Sequence, residues 1–118
     1  MDPDLEKQRN ETFWVFNDIA SKNPIPEMAI VDFHMVPSNS HAEWEKMSKE
    51  LQGQGFTVER HDDPEGPTME IRTRPLALSA EVIWEYEERL TLLARRYNFK
   101  PDGWGFSGVS TNEGFVGV

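Results

Sequence analysis

Between Met28 and Val109 the hydrophobic pattern alternates between two periods, and the order of the changes leaves few folds open. Met28 to Val36 (MAIVDFHMV) is rich in branched and aromatic residues and too short for an ordinary helix, which predicts a central strand. Pro37 ends it. Ser38, Asn39 and Ser40 then offer caps for a helix over Ser40 to Gln52, with Ala42, Trp44, Met47 and Leu51 on its inner face. Glycines 53 and 55 close that helix. Phe56 to Arg60 and Met69 to Leu76 alternate and predict a hairpin around the turn-rich segment His61 to Pro67. Met69, Ile71 and Thr73 fall on one face of the second strand, and Glu70, Arg72 and Arg74 on the other. Ser79 to Tyr97 carries the clearest helical period, with Ile83, Tyr86, Leu90, Leu93, Ala94 and Tyr97 along one side. Ser79 is its cap, and Arg95 and Arg96 suit the negative end of the helix dipole. Asn98 to Pro101 breaks the helix, and Phe106 to Val109 is the last predicted strand.

A further helix over Asp4 to Ser21 precedes this series, with Asp4 as cap and its first turns expected to project or fray. Asn23-Pro24-Ile25-Pro26 stops it. The order is therefore a helix followed by βαββαβ, which predicts an α+β, ferredoxin-like sandwich with an extra N-terminal helix. One domain accounts for residues 1–118: a helix over 1–22, the sandwich over 27–110 and a short tail over 111–118.

Composition narrows the chemistry. Zero cysteines exclude disulfides, cysteine-ligated zinc, iron–sulfur clusters and a cysteine nucleophile. Thirteen aromatic residues (4 Trp, 2 Tyr, 7 Phe) argue against a disordered chain. Asp and Glu number 21 against 12 Lys and Arg, for a net charge of -9. That balance disfavours direct binding to nucleic acid or to anionic membranes. The opening residues lack the basic and apolar regions of a signal peptide, and no run reaches a membrane span. The expected location is the cytoplasm.

Catalytic signatures are weak. Gly53 to Phe56 (GQGF) follows a helix and precedes a strand, the reverse of a phosphate loop. His34, His41 and His61 are too far apart in sequence to resemble a metal signature and read as scattered surface histidines. His61, Asp62, Asp63 and Glu65 form an acidic turn without the alternating ligands of a calcium loop. Nothing in the sequence sets a histidine beside Ser107 or Ser110, and the carboxylates of Glu85 and Glu88 read as solvent-facing. The expectation is a non-catalytic protein with no cofactor and no metal.

What remains is surface charge. Glu81, Glu85 and Glu88 recur at i, i+4 and i+7 and share one helix face. Glu43, Glu45 and Glu50 load the second helix, and Asp2, Asp4, Glu6 and Glu11 the first. A solvated face is the ordinary explanation; the functional one is an acidic surface for a basic protein partner. Glu81, Glu85, Glu88, Glu43 and Glu50 are the candidates for steering, with Trp84 or Trp104 as an aromatic anchor. Trp14 and Trp44 are expected beneath their helices, and Trp84 at the rim of its stripe. Asp102-Gly103-Trp104-Gly105 reads as a structural turn in which two glycines let the indole lie flat and Asp102 bonds its own backbone.

Two segments resemble a known family. Leu5-Glu6-Lys7-Gln8-Arg9-Asn10-Glu11-Thr12 looks like the opening helix of the ribonuclease E inhibitor family of the RraB type. Asp102-Gly103-Trp104-Gly105, after a long helix ending in LARRYNF, looks like that family's Asp-Gly-Trp-Gly element. Gly55 to Val58 fits its strand start. The resemblance implies a ferredoxin-like fold and a small bacterial cytoplasmic protein that docks on ribonuclease E and lowers its activity without being an enzyme. Better-known members carry a long acidic carboxyl tail where this sequence has Gly114 to Val118, so the resemblance also admits a relative that keeps the domain and serves a target other than ribonuclease E. The alternative from another class is an immunity or antitoxin-type protein that neutralises a basic toxin.

Overall fold

The computed structural model describes residues 2–109. Ser110 and the predicted tail over 111–118 lie outside the described residues. Three helices and five strands follow in the order α1 (Pro3–Lys22), β1 (Met28–Pro37), α2 (Trp44–Gly53), β2 (Thr57–Asp63), β3 (Gly66–Arg72), β4 (Leu76–Ala77), α3 (Ala80–Arg96) and β5 (Phe99–Gly108).

Strand β1 is the centre of an antiparallel sheet. It pairs with β3 from Asp32 to Met35, and with β5 from Ala29 to Pro37. Ala29 pairs with Leu76 of β4 and also with Gly108 of β5. A strand has two edges, so β4 continues the β3 side of β1 while β5 holds the other. Strand β2 then pairs only with β3, along Thr57 to Asp63. The order β2-β3-β1-β5 is that of the ferredoxin-like sandwich, with α1 added.

Burial alternates along β1 as the pleat requires: Ala29, Val31, Phe33 and Met35 are buried, and the residues between them are half-buried. The inner set meets Met69 and Ile71 of β3, Met47 and Leu51 of α2, Ile83, Leu90 and Ala94 of α3, and Phe16 of α1 in one core. All three helices therefore cover one face. The opposite face keeps the polar partners in register, His34 opposite Glu70 and Asp32 opposite Arg72.

Several boundaries differ from expectation for identifiable reasons. Asp2, not Asp4, caps α1, accepting from the Leu5 amide at 2.8 Å. The first turn does not fray: Leu5 is buried, and the Asp2 carboxylate also pairs with Arg95 of α3 at 2.8 Å. Helix α2 starts at Trp44 with no side-chain cap: Ser38, Asn39 and Ser40 all precede the cap position, and the Glu43 side chain that occupies it pairs with Lys46. Ser79 caps α3 as expected, accepting from the Val82 amide.

The largest difference concerns Asp102-Gly103-Trp104-Gly105, which is a stretch of β5 rather than a turn preceding it. The strand begins at Phe99, straight after a tight corner at Asn98 (φ 65°). Phe33 pairs with Trp104 and Met35 with Pro101, so two steps on β1 span three on β5. The extra residue is a β-bulge, and Gly103 (φ 102°) takes a conformation that side-chain-bearing residues avoid. The bulge resets the pleat so that both Phe99 and Trp104 reach the helix side.

Candidate protein interface

Outward residues of α3 follow from its helical period. Ile83, Leu90 and Ala94 face the core, which leaves Glu81, Glu85, Glu88 and Leu92 as a stripe on the far side. Glu81 and Glu85 are exposed, Glu88 is half-buried, and Leu92 is 46% exposed. None of the three carboxylates pairs with a cation among the described residues. The nearby Arg89 lies over the Tyr86 ring instead.

The other acidic candidates are engaged locally. Glu43 pairs with Lys46 at 3.0 Å, and Glu50 accepts the Tyr97 hydroxyl at 2.7 Å. They brace α2 and its contact with α3.

The aromatic candidates exchange places. Trp84 is buried, 7% exposed, and cannot anchor a partner. Trp14 is 68% exposed beside Val15 at 39%, contrary to the expectation that it packs under its helix. The cause is the angle set by α1's own core residues: Trp14 lies about 200° round the helix from Thr12. Thr12 is fixed inward because its hydroxyl bonds Glu87. Trp104 is half-buried; its ring stacks on Phe106 with centroids 6.4 Å apart, and its indole N–H points at Thr12 Oγ1 at 3.4 Å. It cements α1 to the sheet. Trp44 is packed as expected, edge-on to Phe99 at 4.8 Å.

Glu87 was not singled out by the sequence, yet it joins the two outer helices. It is 5% exposed and accepts from Gln8 Nε2 at 2.9 Å and from the Thr12 hydroxyl. Burial raises its pKa, Glu11 adds to the rise, and the bonds from Gln8 and Thr12 oppose it. A folded pKa above the unfolded one means that this group's stabilising contribution is complete at low pH and is lost as pH rises through the folded value. Glu87→Gln keeps an acceptor for Gln8 and lets its amide donate to Thr12. We expect it to raise stability at pH 7.5 by about 1 kcal/mol, with the gain over wild type shrinking toward pH 5, as thermal melts at the two pH values will report.

On the open sheet face, His34 and His61 converge although they read as scattered in sequence. His61 Nε2 is 2.8 Å from Glu70 Oε1 and 3.5 Å from Glu59 Oε1, and His34 Nε2 is 4.0 Å from Glu70 Oε2. Arg72 bridges Asp32 at 3.0 Å and Glu70 at 3.2 Å. The Glu70 hydrogen bond raises the His61 pKa. Burial pushes Glu70 upward, but His61, Arg72 and His34 together outweigh it and hold the carboxyl below its usual range. His41 stays apart, its carbonyl accepting from Asn98. Asp62 pairs with Arg60 of its own strand rather than forming an ion-binding turn.

The molecule is thus a ferredoxin-like domain with an added helix, whose outer helical layer presents unpaired carboxylates and an exposed tryptophan. By sequence the chain belongs to the family described as regulator of ribonuclease activity B, RraB, whose family model matches residues 9–106. That span runs from the first half of α1 to Phe106 in β5 and takes in the α3 stripe and Trp104. No curated protein matches the chain. Among the described residues no helix is long and apolar enough to cross a membrane.

Proposed function

We propose that this domain is a non-catalytic bacterial regulator that works in the cytoplasm by binding a ribonuclease and lowering its activity through protein–protein contact. Ribonuclease E is the target that the family resemblance suggests. The observation that carries the reading is the unpaired stripe of Glu81, Glu85 and Glu88 around exposed Leu92 on α3. A nuclease must present positive charge to its RNA. A row of uncompensated carboxylates competes for that surface and draws it in, over a range of about 8 Å at physiological salt. Steering alone does not hold a complex, and the exposed Trp14 and Val15 on neighbouring α1 supply apolar area for the contact. Glu43, Glu50, Trp84 and Trp104 are left as structural residues in this reading.

The test is RNA cleavage by purified ribonuclease E with increasing amounts of the chain. Cleavage should slow with dose, the effect should fade as salt rises, and the chain alone should leave the RNA intact. Trp14→Ala removes an exposed ring with little cost to folding. It should raise the half-inhibitory concentration at least tenfold, about 1.4 kcal/mol of binding. Full cleavage at every concentration of the wild-type chain would refute the proposal.

A further inference from the structure

We propose a second site, separate from the helical layer: the open face of the sheet holds one divalent transition-metal ion between Glu59, His61, Glu70 and His34. The antiparallel register builds it. Glu59 of β2 lies opposite Glu70 of β3, and Glu70 lies opposite His34 of β1, so three ligands form a row across three strands. His61 is two residues beyond Glu59 and so on the same face.

The spacing suits coordination. Glu59, His61 and Glu70 each bring a ligand atom within 4.8 Å of the other two. Ligands held about 2.0–2.2 Å from a tetrahedral ion stand roughly 3.3–3.6 Å from one another, so small side-chain rotations close the set. His34 Nε2, 4.0 Å from Glu70 Oε2, lies beside this trio and is the candidate for a fourth ligand. The side chains of His34, His61 and Glu59 are about half exposed, at 41%, 47% and 51%, which gives an ion access.

Charge supplies the motive. Like charges directly opposite on paired strands repel, and Glu59 faces Glu70. Among the described residues Arg72 is the one Lys or Arg bonded there, and it is shared with Asp32. With both imidazoles neutral, as ligands must be, Asp32, Glu59 and Glu70 outnumber Arg72, and Asp63 adds negative charge near His61, a field that attracts a dication. Arg72 Nη2 donates to both Glu70 oxygens, at 3.3 Å to Oε1 and 3.2 Å to Oε2, and so steadies that carboxylate from beside the ligands. A mixed imidazole and carboxylate set favours zinc over magnesium or calcium, which prefer all-oxygen sites.

The test uses the full chain and two probes, zinc chloride by calorimetry and cobalt chloride by visible absorption. One zinc ion per chain should bind, and cobalt should give the intense ligand-field bands of a four-coordinate site. His61→Gln and Glu70→Gln should each weaken zinc binding at least tenfold, while His41→Gln leaves it unchanged. Circular dichroism checks that each variant folds. Glu59→Gln, on the exposed edge strand, is the alternative should Glu70→Gln fail to fold. Absence of saturable zinc binding below about 1 mM would overturn the site, as would equal affinity in wild type and a folded His61→Gln.

Discussion

Reversing Glu81, Glu85 and Glu88 to lysine together is expected to weaken the chain's hold on its ribonuclease by about a hundredfold or more at physiological salt. Most of the loss should lie in the association rate, because Glu81 and Glu85 are exposed, Glu88 half-buried, and unpaired surface charges act at a distance before contact. The variant changes the α3 face by six charge units without touching the core side of the helix. Its fold should survive, with one identifiable penalty: a lysine at position 81 sits in the first turn of α3, where a cation opposes the helix dipole and costs about 0.5 kcal/mol. Surface-immobilised binding kinetics at two salt concentrations separate the outcomes. A slower association that no longer depends on salt identifies the stripe as the steering surface. Unaltered kinetics in a folded triple variant would remove α3 from the interface.

The shared face of Glu81, Glu85 and Glu88 was legible from spacing alone, because a face needs only a period and α3 has the clearest one in the chain. Element order was legible for the same reason. A helical period and an alternating one are properties of neighbouring residues, and their succession suffices for the ferredoxin-like order. The cap of α3 at Ser79 is equally local. What escaped was decided by contacts between distant segments. Asp2 displaces Asp4 as the cap of α1 because Arg95, 93 residues away, holds its second oxygen. Trp14 is at the surface and Trp84 inside, the reverse of the expectation, because packing between α1 and α3 fixes the rotation of each helix. A buried Glu87 reaching for Gln8 and Thr12 sets that rotation, and hydrophobicity gives no hint of a buried carboxylate. The helical period did contain half the answer, since a residue two places from an inward threonine must point away from the core.

Strand register hid the rest. His34 and His61 are 27 positions apart, and only the pairing of β1 and β2 with β3 brings both to Glu70. The Asp102-Gly103-Trp104-Gly105 element misled in the opposite sense. Two glycines around a tryptophan signal a sharp backbone change, which is real, since Gly103 has a positive φ. Sequence does not distinguish a turn that ends a strand from a bulge that bends one, because both call for the same residue. The sheet partner decides it, and here Phe33 opposite Trp104 keeps the chain in the ladder.

That pairing makes Phe33 the residue whose loss should cost the fold most. Its ring is 1% exposed on the central strand, between Ile71 of β3 and Trp104 of β5, and it belongs to the core shared by all three helices. Phe33→Ala removes the ring and leaves a cavity that no neighbour on a central strand can collapse into, which costs about 3–5 kcal/mol. A domain of this size has about 5–15 kcal/mol in hand, so the midpoint of thermal unfolding should fall by about 10–20 °C. Ile30→Ala, on the same strand but the opposite, polar face, is the matched control: its side chain is only half-buried, and its loss should cost about 1 kcal/mol. Melts of the two variants beside wild type compare the faces directly. Equal losses would mean that the open face is covered by something as apolar as the helical layer, and the alternation of β1 would then no longer identify which side of the sheet the core occupies.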